Sequence, residues 1–146
     1  MIDRIDSVDE ILEFAIAREV EANHLCTYLA RQMENPEMRK VCEDFAEEEL
    51  EHKAKLELEV MKRGEVVHGL DISDYIMDVG DEMDMNYEEL LVFVIRKEQI
   101  SVDLYNDLSA VVKDEESREV LLSLVEEETE HKRRFKVEYD NLPKAT

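Results

Sequence analysis

The sequence predicts an all-α protein, an antiparallel four-helix bundle made of two repeated helical hairpins joined by a long crossover. Composition is the first reason: three Gly, two Pro and 39% charged residues suit long helices better than a turn-rich sheet protein. The second is an internal repeat. A shift of 79 residues (19 to 98) lays Leu12 on Leu91, Phe14 on Phe93, Ile16 on Ile95, Leu25 on Leu104, Arg39 on Arg118 and Val41 on Val120. It also lays Glu47, Glu48, Glu49, Glu51, His52 and Lys53 on Glu126, Glu127, Glu128, Glu130, His131 and Lys132. Glutamates alone could coincide in an acidic chain, but the apolar positions and both histidines keep the same register. The third reason is helical spacing of apolar residues in four segments bounded by cap and turn residues.

The elements follow in order. Ser7-Val8-Asp9-Glu10 reads as a capping box, starting a first helix near Val8 that carries Leu12, Ile16, Leu25, Leu29 and Met33. Asn35 caps and Pro36 opens a second helix, with Val41, Phe45, Leu56 and Val60 on its apolar stripe, ending at Arg63-Gly64. Residues 65–86 hold two of the three glycines and lose the periodicity, so they form the crossover, with one short helix expected from Ile72 to Val79. A third helix follows Asn86 through Leu91, Ile95, Val102 and Leu108. A fourth follows Asp114 through Leu121, Leu124, Val125 and Phe135 and stops before Pro143. The length of 146 residues fits one domain, 1–146, with a core large enough to need no disulfide.

The formal charge of -21 argues against nucleic acid or an anionic membrane surface as a partner, since both need clustered Lys and Arg. No apolar run approaches the roughly 20 residues of a membrane span. The start, Met1-Ile2-Asp3-Arg4, lacks the regions of a signal peptide, so a cytoplasmic location is expected. Cys26 and Cys42 fit neither a disulfide framework nor a Cys-x-x-Cys metal site and read as small core residues.

The repeated polar residues point to chemistry. Glu19 is followed thirty residues later by Glu49-Leu50-Glu51-His52, and Glu98 thirty residues later by Glu128-Thr129-Glu130-His131. Glu-x-x-His puts two side chains on one helix face, where both reach one ion. Spacing alone is weak here, because Glu21 precedes His24 and Glu65 precedes His68 in the same way. Helical phase separates them: Glu49 and His52 share a stripe with Phe45 and Leu56, and Glu128 and His131 share one with Leu124 and Phe135. Glu21 stands about 200 degrees round the helix from Glu19 and matches Ile100 in the repeat, so Glu21 and His24 face outward. Glu65 and His68 fall in the crossover.

Both hairpins bring their carboxylates level. Glu19 and Glu49 each lie about 22 Å from the first turn at 1.5 Å per residue, and Glu98 and Glu128 are balanced about the second. Four ionised carboxylates in an apolar interior would repel one another and suffer desolvation. Two divalent ions cancel that charge, and neutral imidazoles add ligands suited to iron, manganese or zinc. The expected metal ligands, which are also the catalytic residues, are therefore Glu19, Glu49, His52, Glu98, Glu128 and His131. Glu49 and Glu128 bridge, with Glu19 and His52 at one end and Glu98 and His131 at the other.

The segment Glu19 to Tyr28, the Glu49-Leu50-Glu51-His52 motif and their second-half counterparts resemble the rubrerythrin branch of the ferritin-like superfamily across nearly the whole chain. That resemblance implies a di-iron protein, commonly a homodimer, that reduces hydrogen peroxide with electrons from a small redox protein. The family's rubredoxin-like Cys-x-x-Cys pairs are absent, so the donor would be a separate protein such as a rubredoxin. Ser101 stands where the family carries an additional glutamate, leaving a six-ligand set closer to that of bacterioferritin. Tyr105, seven residues after Glu98, stands where such proteins often keep a tyrosine near the metal, and its repeat position is Cys26. Two readings stay open for that asymmetry: unequal core filling, or a tuned iron beside an oxidisable thiol.

The leading expectation is a peroxidase using two iron ions, with manganese or zinc as alternatives. A ferroxidase or iron-handling protein that uses dioxygen is the second reading, and a metal-stabilised interaction module without redox chemistry is the third.

Overall fold

Residues 4–5, 8–76 and 84–143 are described in the structure, a computed structural model. Four long helices dominate: α1 (Val8–Gln32), α2 (Pro36–Lys62), α3 (Tyr87–Val111) and α4 (Glu115–Asp140). Local chemistry sets their ends. The Asn35 side chain accepts from the amides of Glu37 and Met38, with Pro36 in the first turn of α2 where a missing N–H costs nothing. Arg63 closes α2 in the left-handed region at φ 51°, beside Gly64. Asn86 and Glu89 form a reciprocal capping box on α3, and the Asp114 side chain caps α4 through the Ser117 amide. The capping box expected at Ser7 lies outside the described residues.

The repeat reappears in the two hairpin turns. Arg39 Nε donates to the Met33 carbonyl at 3.1 Å, joined by its Nη2, and Arg118 Nη2 donates to the Val112 carbonyl at 3.1 Å. Met33 and Val112 are themselves repeat partners. In each half the arginine of the second helix satisfies a carbonyl at the end of the first, where helix geometry leaves acceptors unpaired.

Among the described residues of the crossover, Ile72–Tyr75 form a 3-10 turn at the start of the short helix expected to reach Val79; residues 77–83 lie outside the described residues. The Asp71 side chain caps that turn, accepting from the Ser73 amide. A two-residue antiparallel pair, β1 (Arg4–Ile5) with β2 (Leu70–Asp71), ties the start of the chain to the crossover. The amide of Val67 donates to the Val111 carbonyl at 2.8 Å and that of Lys113 to the Glu65 carbonyl at 2.9 Å. These bonds fix the beginning of the crossover beside the α3–α4 turn, so that turn sits at the end of the bundle where α2 finishes. The crossover thus runs the length of the bundle, and every adjacent helix pair is antiparallel.

Two apolar clusters fill the interior. One gathers Ile11, Leu56, Leu104, Leu108 and Leu121; the other gathers Leu25, Leu29, Cys42, Leu91 and Phe135. Between them lies a layer of buried polar side chains. No described helix is long and apolar enough to cross a membrane.

Candidate metal centre

The middle layer draws one carboxylate from α1 (Glu19), one from α3 (Glu98), and a Glu-x-x-His pair from each of α2 and α4. Glu19, Glu49, His52, Glu98, Glu128 and His131 are each at most 1% exposed. Their donor atoms fall into two overlapping sets, Glu19, Glu49, His52, Glu128 and Glu49, Glu98, Glu128, His131, with the atoms of each set within 4.8 Å of one another. Glu49 and Glu128 belong to both sets. The structure therefore brings all six sequence-derived residues together, and it leaves Glu21, His24, Glu65 and His68 exposed on the surface.

The orientation of the donors tests whether a metal pair fits. Glu19 Oε2, both oxygens of Glu49 and of Glu128, Glu98 Oε2, and the Nδ1 atoms of His52 and His131 are all buried with no hydrogen-bond partner. His52 Nδ1 lies 2.8 Å from Glu128 Oε1 and 3.4 Å from Glu19 Oε2, and His131 Nδ1 lies 2.7 Å from Glu49 Oε1. These contacts are not aligned as hydrogen bonds. They resemble the separations of about 3–4 Å between ligands that share one ion at 2.0–2.2 Å. Buried polar atoms are almost always paired, so this concentric group of orphans fits a cluster able to hold cations.

Each imidazole is aimed from behind. His52 Nε2 lies 2.7 Å from Glu127 Oε2, and His131 Nε2 lies 2.6 Å from Glu48 Oε2. A carboxylate here accepts, so Nε2 carries the hydrogen and the Nδ1 lone pair points into the layer. Glu48 and Glu127 are repeat partners, so this support is duplicated across the pseudo-two-fold axis. Sequence reasoning missed it, because both residues lie about 100 degrees from the ligand face on their own helices and read as solvated acidity. The signal was present in the repeat, which aligned them beside the histidines. Tyr105 Oη adds a hydrogen bond to Glu19 Oε1, fixing that carboxylate.

Electrostatics follow from burial. Desolvation, reinforced by the neighbouring carboxylates, pushes the Glu49 and Glu98 carboxyls well above the usual range, and burial with the Glu19 charge lifts Glu128 to about 8. The histidines diverge. Burial pulls His52 down, but Glu19 and Glu127 more than offset it, so it titrates above its ordinary value. At His131 burial wins and the value falls. Phe45 stacks on the His131 ring at 4.0 Å, whereas the repeat partner of Phe45 is the smaller Leu124.

Ser101 is buried one turn beyond Glu98. It helps line a cavity of about 210 Å³ with Arg18, Tyr75, Lys97, Ile100 and Leu104. Glu21 closes part of the rim, bonding Arg18 at 3.0 Å and Lys97 at 2.8 Å.

Residues 10–139 match the family model for rubrerythrin. The chain belongs to the rubrerythrin family. Solved structures resemble this rubrerythrin-family chain in fold. A hypothetical protein from Pyrococcus furiosus has a TM-score of 0.72 and 23% identity, over 92% of this chain and 89% of the other. A conserved hypothetical protein from Mycobacterium tuberculosis has a TM-score of 0.72 and 13% identity, over 95% of each chain. A manganese catalase from Anabaena has a TM-score of 0.69 and 16% identity, over all of this chain and 82% of the catalase. At these identities the structures establish the ferritin-like fold. No curated protein sequence matches the chain. Family membership and the buried carboxylate–histidine cluster together point to a di-metal protein.

Proposed function

We propose that this protein is a di-iron peroxidase that reduces hydrogen peroxide with electrons from an external one-electron donor. The observation that carries it is the ring of inward, unpartnered donor atoms divided into two overlapping sets. Glu19 and His52 would hold one ion and Glu98 and His131 the other, with Glu49 and Glu128 common to both donor sets. Iron at these positions supplies the one-electron steps and Lewis acidity that carbon, nitrogen and oxygen side chains lack. The chain supplies the rest. Glu48 and Glu127 hold the imidazoles in the ligating tautomer, Tyr105 restrains Glu19, and the two apolar clusters exclude bulk water on either side. The cavity beside Ser101, between α1 and α3, is the approach for a small peroxide.

Anaerobic loading with ferrous iron, followed by hydrogen peroxide and then a reductant, tests the reading. Two irons bound per chain, fast appearance of ferric absorption and repeated reduction support it. Preference for dioxygen without recycling would instead indicate iron oxidation and handling. Parallel loading with manganese and zinc decides the metal, since this ligand set accepts all three.

A further inference from the structure

Cys26 and Cys42 lie seven residues nearer the first turn than Glu19 and Glu49, so they form a facing pair of the α1–α2 hairpin about 10 Å along the axis from the ligand layer. Both are 0% exposed and free. Cys42 Sγ donates to the Cys26 carbonyl at 3.3 Å, which joins the two residues across the hairpin. The equivalent pair in the second half is Tyr105 and Leu121, so ordinary packing at this level does not call for sulfur. The chain has two cysteines, and both occupy this one facing pair.

We propose that Cys26 and Cys42 are a redox-active dithiol that supplies both electrons for one round of peroxide reduction and closes to a disulfide. This role rests on the peroxidase reading of the centre. In that round the O–O bond breaks and an Sγ–Sγ bond forms; two thiol protons and two electrons complete two water molecules. Because neither thiol meets solvent, the electrons would leave sulfur through the metal pair that the carboxylate–histidine layer would hold. Two electrons from the external donor and two protons break the Sγ–Sγ bond and restore the thiols.

The surroundings favour this indirect route over direct attack on peroxide. The neighbouring Cys42 and complete burial hold the Cys26 thiol protonated well above its ordinary range. A protonated thiol is a poor nucleophile. A pair shielded in this way yields electrons through the centre rather than reacting with oxidants at random.

The test uses iron-loaded, fully reduced protein, freed of external reductant and given one equivalent of hydrogen peroxide per chain. Intact mass, thiol content after denaturation and the absorption of the centre are read together. The expected result is a mass lower by two hydrogens, loss of both thiols and recovery with reductant, while the metal-free protein keeps both thiols over the same interval. Cys42→Leu, which installs the residue of the second half, and Cys26→Ser should each bind iron, respond to peroxide and show no such mass change. Intact thiols after the centre has turned over overturn the proposal. Equal thiol loss without metal overturns it as well, by showing direct oxidation. An absorption that never responds to peroxide overturns the peroxidase reading beneath it, and the unchanged spectrum tells the two failures apart.

Discussion

Glu48 and Glu127 accept from the outer nitrogens of the two histidines, which turns each Nδ1 toward the buried layer. Such carboxylate supports typically contribute about 10–100-fold to metal affinity. Glu127→Ala and Glu48→Ala should each weaken binding by an amount in that range, with the helical circular dichroism unchanged; a chelator-competition titration reads it. Replacing His52 and His131 together should abolish the bound pair, whereas the matched change at His24 and His68 should leave metal content intact. Metal loss in that control would sink the assignment by helical phase. The six buried donors were legible in the sequence because burial forces periodicity on them, and phase then separated His52 and His131 from His24 and His68. Glu48 and Glu127 were not, since a half-exposed glutamate on an acidic helix looks the same whether it meets water or the imidazole of a facing helix.

At the scale of elements, the duplicated turns offer a measurable symmetry. Arg39→Ala and Arg118→Ala each remove charged hydrogen bonds to a helix-terminal carbonyl, and each should cost about 1–2 kcal/mol in denaturant unfolding. A much larger loss at one site would show that the two hairpins do not share the same closure. Helix limits were readable because Asn35-Pro36, Asn86 and Asp114 are caps with a definite chemistry. The crossover was not, since its order comes from partners remote in sequence. Asp71 and Tyr75 illustrate this: Asp71 pairs with Arg4 across the small sheet, and Tyr75 donates to Asp107 at 2.6 Å. No local pattern announces either contact, and the described start of the expected helix, Ile72–Tyr75, is a 3-10 turn.

For the whole molecule, the raised carboxyls couple protons, metal and stability. In the metal-free chain Glu128 moves from an ordinary value of 4.5 to about 8, and Glu49 and Glu98 rise in the same direction. The folded state therefore retains protons that the unfolded chain releases. The stability they confer is fully present below about pH 4.5 and is lost as pH rises through the folded values, near 8 for Glu128. Thermal unfolding of the metal-free protein should show a melting temperature that falls between pH 5 and pH 9, opposite to the trend for paired surface carboxylates. Metal must displace those protons, so its affinity should rise over the same interval, with proton release visible in a weakly buffered indicator assay. The pattern of charges was legible as a need for cations; its consequence for titration depended on the depth of burial, which only the packed bundle sets. The two overlapping donor sets carry one more implication. Each hairpin owns three of the six donors, and each proposed ion takes some from both hairpins, so neither half of the gene could have kept a complete centre by itself. An ancestral hairpin would have needed a twin, with two ions in identical surroundings. Two halves joined in one polypeptide are free to differ, and here Tyr105 stands in one half where Cys26 stands in the other.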